Sequence, residues 1–297
     1  MLYAKKPIQQ KRFEFRAALQ QNKLLRFPGA FSPLVAMLIE QMGFDGIYIS
    51  GGVLSNDLGL PDIGLTTLSE VSQRGRAIAR VSDLPAIIDI DTGFGEPMNV
   101  ARTIQEMEEL GLCGCHLEDQ VHPKRCGHLD NKVLVDPDAM IKKIKAAAAA
   151  RRDPNFVLIA RTDARATEGL PQAIARAKAY VNAGADMIFP EALQDEAEFQ
   201  KFRSAMPVPL LANMTEFGKT KLLSYKTLQA LGYNIVIYPV TTLRLAMKAA
   251  EEGLAEILAK GTQEELLPKM QHRKRLYEIL RYQDYNRFDN DIFNFKL

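Results

Sequence analysis

The stretch LPAIIDIDTGFGEPMNVARTIQEMEELGLCGCHLED, residues 84–119, decides the fold class. It contains two short apolar runs, at residues 86–90 and 115–117, and a segment with helical periodicity between them that stops at Gly111. Glycine directly after a helix is typical of a helix C-terminus because it accepts a positive φ. A strand, a helix and a second strand in this order predict two parallel strands joined by a helical crossover.

The same alternation of apolar runs and helical segments extends in both directions along the chain. Apolar runs recur at intervals of roughly 20–40 residues, each followed by a helical pattern, and their continuous apolar character is typical of strands buried on both faces. Eight such units within about 240 residues, with no GxGxxG motif after the first strand, favour a closed barrel over an open doubly wound sheet. The predicted strands cover residues 24–27, 46–49, 86–90, 115–117, 156–160, 186–189, 208–212 and 234–238.

The predicted fold is therefore α/β, a (β/α)8 TIM-type barrel, with residues 1–250 forming the catalytic domain. Residues 251–297 are rich in Arg, Lys, Tyr and Phe and contain no strand signal. We expect them to form a C-terminal helical extension that packs on a neighbouring subunit, the alternative being a solvated appendage. Capping residues followed by proline predict helix starts at Ser32 and Asp136, and glycines predict further helix ends at Gly43, Gly184 and Gly232.

Composition excludes several classes of protein. The 297 residues are 47% hydrophobic and 25% charged, which excludes a disordered or fibrous chain. A net charge of +2 is too balanced for a nucleic-acid or membrane-surface binder, and no apolar run approaches the ~20 residues of a membrane span. The opening MLYAKKPIQQKRFEF is too polar for a secretory signal, and an odd count of three cysteines favours reduced thiols. We expect a cytoplasmic protein that acts on a small molecule.

Polar residues follow nearly every predicted strand, at the end where a barrel places its active site. Asp89 and Asp91 end the third strand, where alternation should place both carboxylates on one side, and Glu118 ends the fourth. Two carboxylates with a third acid nearby suit Mg²⁺, which also keeps waters and substrate oxygens as ligands. Helix caps or ion pairs are the alternative use of these acids. Zinc is disfavoured because no histidines have a ligand spacing and Cys113 and Cys115 resemble core residues.

The segment KRCGH, residues 124–128, follows the fourth strand, where a loop can cover the barrel mouth. Cys126 lies beside Lys124, Arg125 and His128, an electropositive setting that lowers a thiol pKa or speeds proton transfer. Gly127 allows close approach of the backbone to a ligand. A nucleophilic role for the thiol would need a nearby general base.

Two further features point to an anionic substrate. Ser50, Gly51 and Gly52 after the second strand would present backbone N–H groups to an anion, and Arg161 after the fifth can bind a carboxylate through two parallel hydrogen bonds. The predicted substrate is a polycarboxylate bound to a metal, or a phosphate ester.

Together these motifs resemble the 2-methylisocitrate lyase family, within the isocitrate lyase and phosphoenolpyruvate mutase superfamily. The resemblance covers nearly the whole chain and rests on SGG, LGLPD, DIDTGFG, LEDQ, KRCGH, ARTDA, FPEA and LANMTEFG. It implies a Mg²⁺-dependent α/β barrel that forms a homotetramer in which subunits exchange the eighth helix.

The resemblance also implies a role for each matching position. Asp89 and Asp91 would hold the metal, Glu118 would support it, and Asp62 of LGLPD would lie close by. Residues 124–128 would form a gating loop in which Cys126 acts as general acid, with Lys124 and His128 beside it. The base is not fixed, with Tyr48 as the first choice and Asp62 as the second. Substrate contacts would come from Ser50, Gly51, Gly52, Gly127, Arg161, Glu191, Asn213, Thr215, Arg244 and Arg273.

The implied reaction is a retro-Claisen type cleavage of 2-methylisocitrate to pyruvate and succinate, a step of propionate breakdown through the methylcitrate cycle. Isocitrate lyase, whose substrate lacks one methyl group, is the nearest alternative, although isocitrate lyases usually carry long insertions. A thiol redox or binding protein that uses Cys126 is the alternative from a different class.

Overall fold

The computed structural model describes residues 4–127 and 131–293. Eight parallel strands alternate with helices along the chain, as the sequence predicts. The strands are β1 (Leu25–Pro28), β2 (Ile47–Ile49), β3 (Ala86–Asp89), β4 (Gly114–Glu118), β5 (Val157–Thr162), β6 (Met187–Pro190), β7 (Leu211–Asn213) and β8 (Ile235–Tyr238).

Helices surround these strands and one precedes them. They are α1 (Ile8–Leu19), α2 (Pro33–Gln41), α3 (Gly51–Asp57), α4 (Leu68–Ala79), α5 (Pro97–Glu109), α6 (Pro137–Ala150), α7 (Ala164–Thr167), α8 (Leu170–Asn182), α9 (Glu196–Ala205), α10 (Tyr225–Ala230), α11 (Thr241–Lys260), α12 (Arg273–Ile279) and α13 (Tyr282–Phe293), with a 3₁₀ helix at Glu264–Lys269.

The strands close into a barrel. Strands β2 to β6 form one sheet in chain order, and β1, β8 and β7 form another. Single bridges join the two sheets, between Gly29 and Tyr48 on one side and between Ile188 and Leu210 on the other. The barrel fold predicted from the sequence is confirmed.

The predicted helix boundaries are also confirmed. The Ser32 side chain accepts from Val35 N, and the Asp136 side chain accepts from Asp138 N. The glycines at the predicted helix ends have φ of 78° at Gly43, 84° at Gly111, 115° at Gly184 and 79° at Gly232.

Two apolar clusters hold the barrel together. The larger lies between the strands and the surrounding helices and contains the β4 residue Cys115. The smaller fills the barrel interior, where Cys113 packs with side chains of several strands and with Phe15 and Leu19 of α1. Helix α1 therefore closes the amino end of the barrel and leaves the carboxyl end for the site.

The segment after β8 is helical, as predicted, but its first helix runs through the expected domain boundary at residue 250. None of the 20 residues of α11 is buried in the described chain. Helix α12 packs on α2, where Gln41 Nε2 donates to Ile279 O at 3.2 Å. No helix of the described residues has the length and apolar character needed to cross a membrane.

We expect Gly29→Ala to destabilise the barrel. The Gly29 N–H donates to Tyr238 O at 2.9 Å, and a Cβ at this position would overlap the backbone carbonyl of Pro239. Because backbone cannot move aside as a side chain can, we expect a loss of about 1–3 kcal/mol in the free energy of unfolding, measured by urea denaturation. Gly253→Ala in α11 is the control, since its Cβ would meet only Leu266 Cδ1 at 3.7 Å. Equal stability of the two variants would contradict this prediction.

Candidate active site

A cavity of about 150 Å³ opens at the carboxyl end of the barrel. Residues at the ends of seven strands, β2 to β8, and in the loops after them line it, so the chain segments that carry polar residues in the sequence converge in space. The lining residues are Tyr48, Ser50, Gly52, Asn56, Asp62, Asp89, Lys124, Cys126, Gly127, Arg161, Glu191, Asn213, Thr215, Pro239, Val240 and Arg244.

Asp89 and Asp91 lie together beneath this cavity. A Cβ on Gly51 would stand 3.0 Å from Asp89 Oδ2 and 3.1 Å from Asp91 Oδ1, so both carboxylates face the same point. Strand alternation is not the reason, because β3 ends at Asp89 and Asp91 has a φ of 47°. The turn is held by the Gly51 and Asp91 N–H groups, which donate to Asp89 at 3.2 and 3.0 Å. Burial raises the pKa of both carboxyls, and Lys124 opposes that shift.

The Lys124 ammonium neutralises part of this acidic cluster. It forms a short ion pair with Asp62 and lies 2.9 Å from Asp91 Oδ1, with only 4% of the side chain exposed. Burial opposes the charge on Lys124, but Asp91, Glu118 and other neighbouring carboxylates outweigh it and hold its pKa well above the usual value. The lysine is therefore charged and serves as a counterion to the acids.

Arg161 connects the acidic cluster to the substrate side of the cavity. Its Nε lies 3.2 Å from Glu118 Oε2 and 2.9 Å from Asp163 Oδ2, and Glu191 lies 3.9 Å away. Burial opposes its charge, but Asp163, Glu118 and Glu191 hold its pKa well above the usual value. Neither oxygen of Glu118 accepts a hydrogen bond from a described residue, and burial raises the pKa of this carboxyl far above its ordinary value.

Cys126 lies at the edge of the cavity, partly exposed, on a loop that is tied to the end of β4. The Gln120 side chain accepts from Arg125 N at 2.9 Å and donates to Arg125 O at 2.9 Å. Gly127 packs against Arg161 and Glu191 so closely that a Cβ would overlap both side chains. The glycine predicted to allow close approach therefore places the thiol loop directly over Arg161.

His116 belongs to the site although its role does not emerge from the sequence pattern. Its Nε2 lies 2.7 Å from the Tyr48 hydroxyl, and its Nδ1 lies 3.7 Å from Asp89 Oδ1. Burial, and then the charge of Arg161, lower the pKa of His116 to about 3, so the ring is neutral. The spacing of His116 from Glu118, two residues along β4, was the available signal, because such positions share one face of a strand.

A profile of the phosphoenolpyruvate phosphomutase family matches residues 15–258. The chain belongs to the phosphoenolpyruvate phosphomutase family. It is 62% identical to the probable 2-methylisocitrate lyase 1 of Corynebacterium glutamicum, over 96% of this chain and 94% of that protein. It is 43% identical to the 2-methylisocitrate lyase of Escherichia coli K12, over 94% of this chain and 95% of that protein.

Solved structures show the same family relationship. Oxaloacetate acetylhydrolase in complex with 3,3-difluorooxalacetate matches with a TM-score of 0.92 and 32% identity, over 99% of this chain and 100% of that one. Phosphonopyruvate hydrolase in complex with oxalate and Mg²⁺ matches with a TM-score of 0.85 and 33% identity, over 94% and 98% of the two chains. The superfamily predicted from the sequence is confirmed.

The donor set suits Mg²⁺, the cation that accompanies oxalate in the phosphonopyruvate hydrolase structure. Within residues 4–127 and 131–293, no three His, Cys, Asp or Glu side chains are grouped so as to enclose a metal by themselves. Mg²⁺ does not need such a cage, because one or two carboxylates with waters and substrate oxygens suffice. Asp89 and Asp91 supply two carboxylates, and in the described part of the chain Glu118 is ion-paired with Arg161 while neither of its oxygens accepts a hydrogen bond.

Most of the residues that the family resemblance indicates meet in one place. Gly51, Asp91 and Glu118 lie directly beneath the cavity. His128 lies outside the described residues. At the far rim, Asn213 Nδ2 is 3.3 Å from Glu191 Oε2, and Arg244 Nη1 donates to Glu216 O at 2.6 Å.

Arg273 is the exception, because within one chain it does not line this cavity, and its contact to the substrate stays a prediction. It starts α12 and lines a separate cleft formed by residues 272–274, 277–278 and 281–284. The physical reason is that α11 carries the chain away from the barrel mouth for 20 residues, after which α12 packs on the outside of α2.

Proposed function

We propose that this chain is a 2-methylisocitrate lyase that cleaves its substrate to pyruvate and succinate with the help of Mg²⁺. Relatives named 2-methylisocitrate lyase are 43–62% identical over nearly the whole chain, which confirms the prediction of a carbon–carbon lyase. The observation that carries the proposal is the cavity itself. It brings paired aspartates, a buried arginine and a cysteine on a loop to the same barrel end.

Asp89 and Asp91 would hold the cation, with Glu118 and Asp62 beside them. A bound Mg²⁺ acts as a Lewis acid that stabilises negative charge on oxygen. Burial and the neighbouring carboxylates raise the pKa of Asp89 and of Asp91, so a bound cation would stabilise their ionised forms. The Lys124 ammonium supplies a positive charge beside them.

The substrate carries three carboxylates, and the other side of the cavity is suited to bind them. Arg161 is charged and can present its free edge to a carboxylate, because Asp163 already fixes the guanidinium through Nε and Nη2. Ser50 and Gly52 line the opposite wall, and Arg244 and Thr215 line the rim. Donors that are fixed before the reaction stabilise developing charge without reorganisation.

The bond changes follow from the chemistry of the products. A base removes the proton of the tertiary hydroxyl group, its oxygen forms the keto group of pyruvate, and the bond between the carbinol carbon and its neighbour breaks. The electron pair of that bond passes to the succinate fragment. We propose that the Cys126 thiol delivers the proton that neutralises this carbanion, since Cys126 lines the cavity beside Arg161.

Tyr48 is the first choice of base from the sequence, but we propose that Asp62 is the base instead. Burial and the charge of Asp89 raise the pKa of Tyr48 well above its usual value, so its hydroxyl keeps its proton. The carboxylate of Asp62 lines the same cavity and is 22% exposed in the side chain.

We expect Asp62→Asn to lower kcat about 10²-fold, the lower end of the range for general acid–base catalysis, and Tyr48→Phe to lower it only about ten-fold. The phenylalanine loses the hydrogen bond to His116 but keeps the ring packing. Single-turnover kinetics at saturating Mg²⁺ make the comparison. A larger loss in Tyr48→Phe would assign the base to Tyr48 instead.

The proposed function is tested by incubating the purified protein with Mg²⁺ and either 2-methylisocitrate or isocitrate. Pyruvate from the first substrate supports the proposal, and glyoxylate from the second at a higher kcat/KM would identify an isocitrate lyase. One methyl group is worth about 1–3 kcal/mol in discrimination, so some turnover of isocitrate is expected. Release of neither product, together with reversible modification of Cys126, would favour the thiol redox protein.

We also propose that four copies assemble through the C-terminal helices. Helix α11 exposes Leu245, Met247, Leu254 and Leu258, which an isolated chain would leave in water. A groove of about 360 Å³ beside α2 is lined by the apolar residues Pro28, Val35, Leu38, Ile39, Met42 and Phe44 and is suited to receive a helix of another copy. Sedimentation velocity tests this, and a monomer at micromolar concentration would exclude it.

A further inference from the structure

Lys132 is a buried lysine that the function proposed above does not use. It follows the cysteine loop in the chain, and its side chain is 1% exposed. The ammonium has two partners in the described structure. It donates a short hydrogen bond to the carbonyl oxygen of Gly127 and another to Asp163 Oδ1 at 2.8 Å. Lys132 therefore joins the residue after Cys126 to the end of β5.

Asp163 is a fixed point to which a loop can be tied. Its N–H donates to Asp119 Oδ1 at 2.9 Å, and Asp119 Oδ2 accepts from Thr162 at 2.7 Å and from Tyr180 at 2.8 Å. Its carboxylate also holds the Arg161 guanidinium through Nε and Nη2 at 2.9 and 3.2 Å. The same carboxylate thus orients Arg161 and anchors Lys132.

The position of Gly127 depends on this contact. Its α-carbon lies against Arg161 and Glu191 without room for a Cβ, so packing keeps the loop from moving inward. Packing from below does not keep the loop from moving outward. A hydrogen bond from a charged donor to the Gly127 carbonyl does so, and such bonds are roughly twice as strong as neutral ones.

A purely structural role as the counterion of Asp163 does not explain both contacts. Arg161 already binds Asp163 through two hydrogen bonds, and Arg161 and Lys132 together lower the pKa of this buried carboxyl. The second partner of Lys132 is a backbone carbonyl, which has no net charge to balance. The hydrogen bond from Lys132 therefore fixes the position of the Gly127 carbonyl.

We propose that Lys132 is a positioning residue that holds Cys126 over the cavity, in register with Arg161, through the Gly127 carbonyl. The catalytic consequence rests on the proposed function, in which Cys126 delivers a proton. The positional consequence does not, because it concerns the accessibility of the thiol in the absence of substrate.

The test is the rate at which iodoacetamide alkylates Cys126, followed by peptide mass spectrometry in Lys132→Met and in the parent protein without substrate. Rates are compared at the high-pH plateau, where the thiol is fully ionised, so that a changed pKa does not enter. Cys113 and Cys115 are buried and report unfolding if they react. The matched control is Lys11→Met, because Lys11 and Lys132 are each 7% exposed as whole residues and Lys11 also donates to a backbone carbonyl, Ser82 O at 2.7 Å, at the amino end of the barrel.

We expect alkylation of Cys126 to be about ten-fold faster in Lys132→Met, the factor that corresponds to one lost hydrogen bond to a charged group. Lys11→Met should keep the parent rate, and Lys132→Arg, which keeps a cationic donor, should lie near it. In the activity assay, kcat of Lys132→Met should fall about ten-fold with KM changed less than about two-fold, because the substrate carboxylate still meets Arg161.

An unchanged alkylation rate in folded Lys132→Met would overturn the proposal even if the enzyme proves to be a lyase of the expected kind. Faster alkylation without any lyase activity would instead support the positional role and count against the proposed function. If Lys132→Met exposes Cys113 and Cys115, Lys132→Gln replaces it in the same comparison, and an unchanged rate there has the same meaning.

Discussion

Cys126→Ser is expected to lower kcat about 10³–10⁴-fold, because serine has nearly the volume of cysteine but is a far weaker acid, and general acid catalysis contributes up to this range. The substitution leaves Arg161 and the aspartates untouched, so KM and the response to Mg²⁺ should stay close to those of the parent protein. Steady-state kinetics with 2-methylisocitrate measure the effect. Cys126 is partly exposed, and its replacement should not alter the free energy of unfolding.

Cys113→Ser is the matched control for this prediction. Cys113 is fully buried in the barrel interior, where burial raises the pKa of its thiol, so it is unsuited to proton transfer at neutral pH. We expect Cys113→Ser to destabilise the protein while the folded fraction keeps its kcat. Turnover by Cys126→Ser within about ten-fold of the parent value would remove Cys126 from the role of acid.

Asp89→Ala is expected to abolish activity together with the response to Mg²⁺. Asp89 is 5% exposed and is one of two carboxylates that face the same point beneath the cavity. A ligand that binds only the folded state at 100 times its Kd stabilises a protein by about 2.7 kcal/mol. The parent protein should therefore show a rise in Tm with Mg²⁺, measured without substrate, and Asp89→Ala should not.

Glu109→Gln provides the comparison, because this glutamate is 62% exposed in the side chain and lies on the outer surface in an ion pair with Arg152. It should respond to Mg²⁺ as the parent protein does. Residual activity of Asp89→Ala in the presence of a chelator would show that the reaction does not need a cation held by this residue.

The strands could be predicted from the sequence because they are buried on both faces. Such strands are apolar runs, and the eight apolar runs of the sequence coincide with the eight strands to within a few residues. Helix α1 could not be predicted from hydrophobic periodicity, because its buried face includes charged residues. Lys11 and Arg12 are buried there, and Arg12 donates to the carbonyls of Leu112 and Glu108 at 2.8 and 2.5 Å. Sequence polarity predicts that charged residues at such positions are exposed to water. The carbonyls that bind Arg12 lie about 100 residues away in the chain, so the sequence around Arg12 does not reveal them.

In the site, too, some residues could be predicted from the sequence and others could not. Polar residues that end apolar strands could be recognised, since every barrel strand presents its carboxyl end to one mouth. The spacing of His116 from Glu118 places both on one face of β4 but does not reveal the contact of His116 with Tyr48. Lys132 lies beyond the loop, and no sequence pattern reveals its contact with the Gly127 carbonyl. Arg273 is the opposite case. The family resemblance predicts a substrate contact for it, but within one chain α11 leads it to a separate cleft.

The apolar column that fills the barrel between α1 and Tyr48 gives the reaction centre an asymmetric dielectric environment. Below the aspartates lies hydrocarbon, which screens charge poorly, and solvent can approach only from the mouth. Each negative charge that forms during cleavage must therefore be met from above, by a cation, by the cysteine loop or by an arginine.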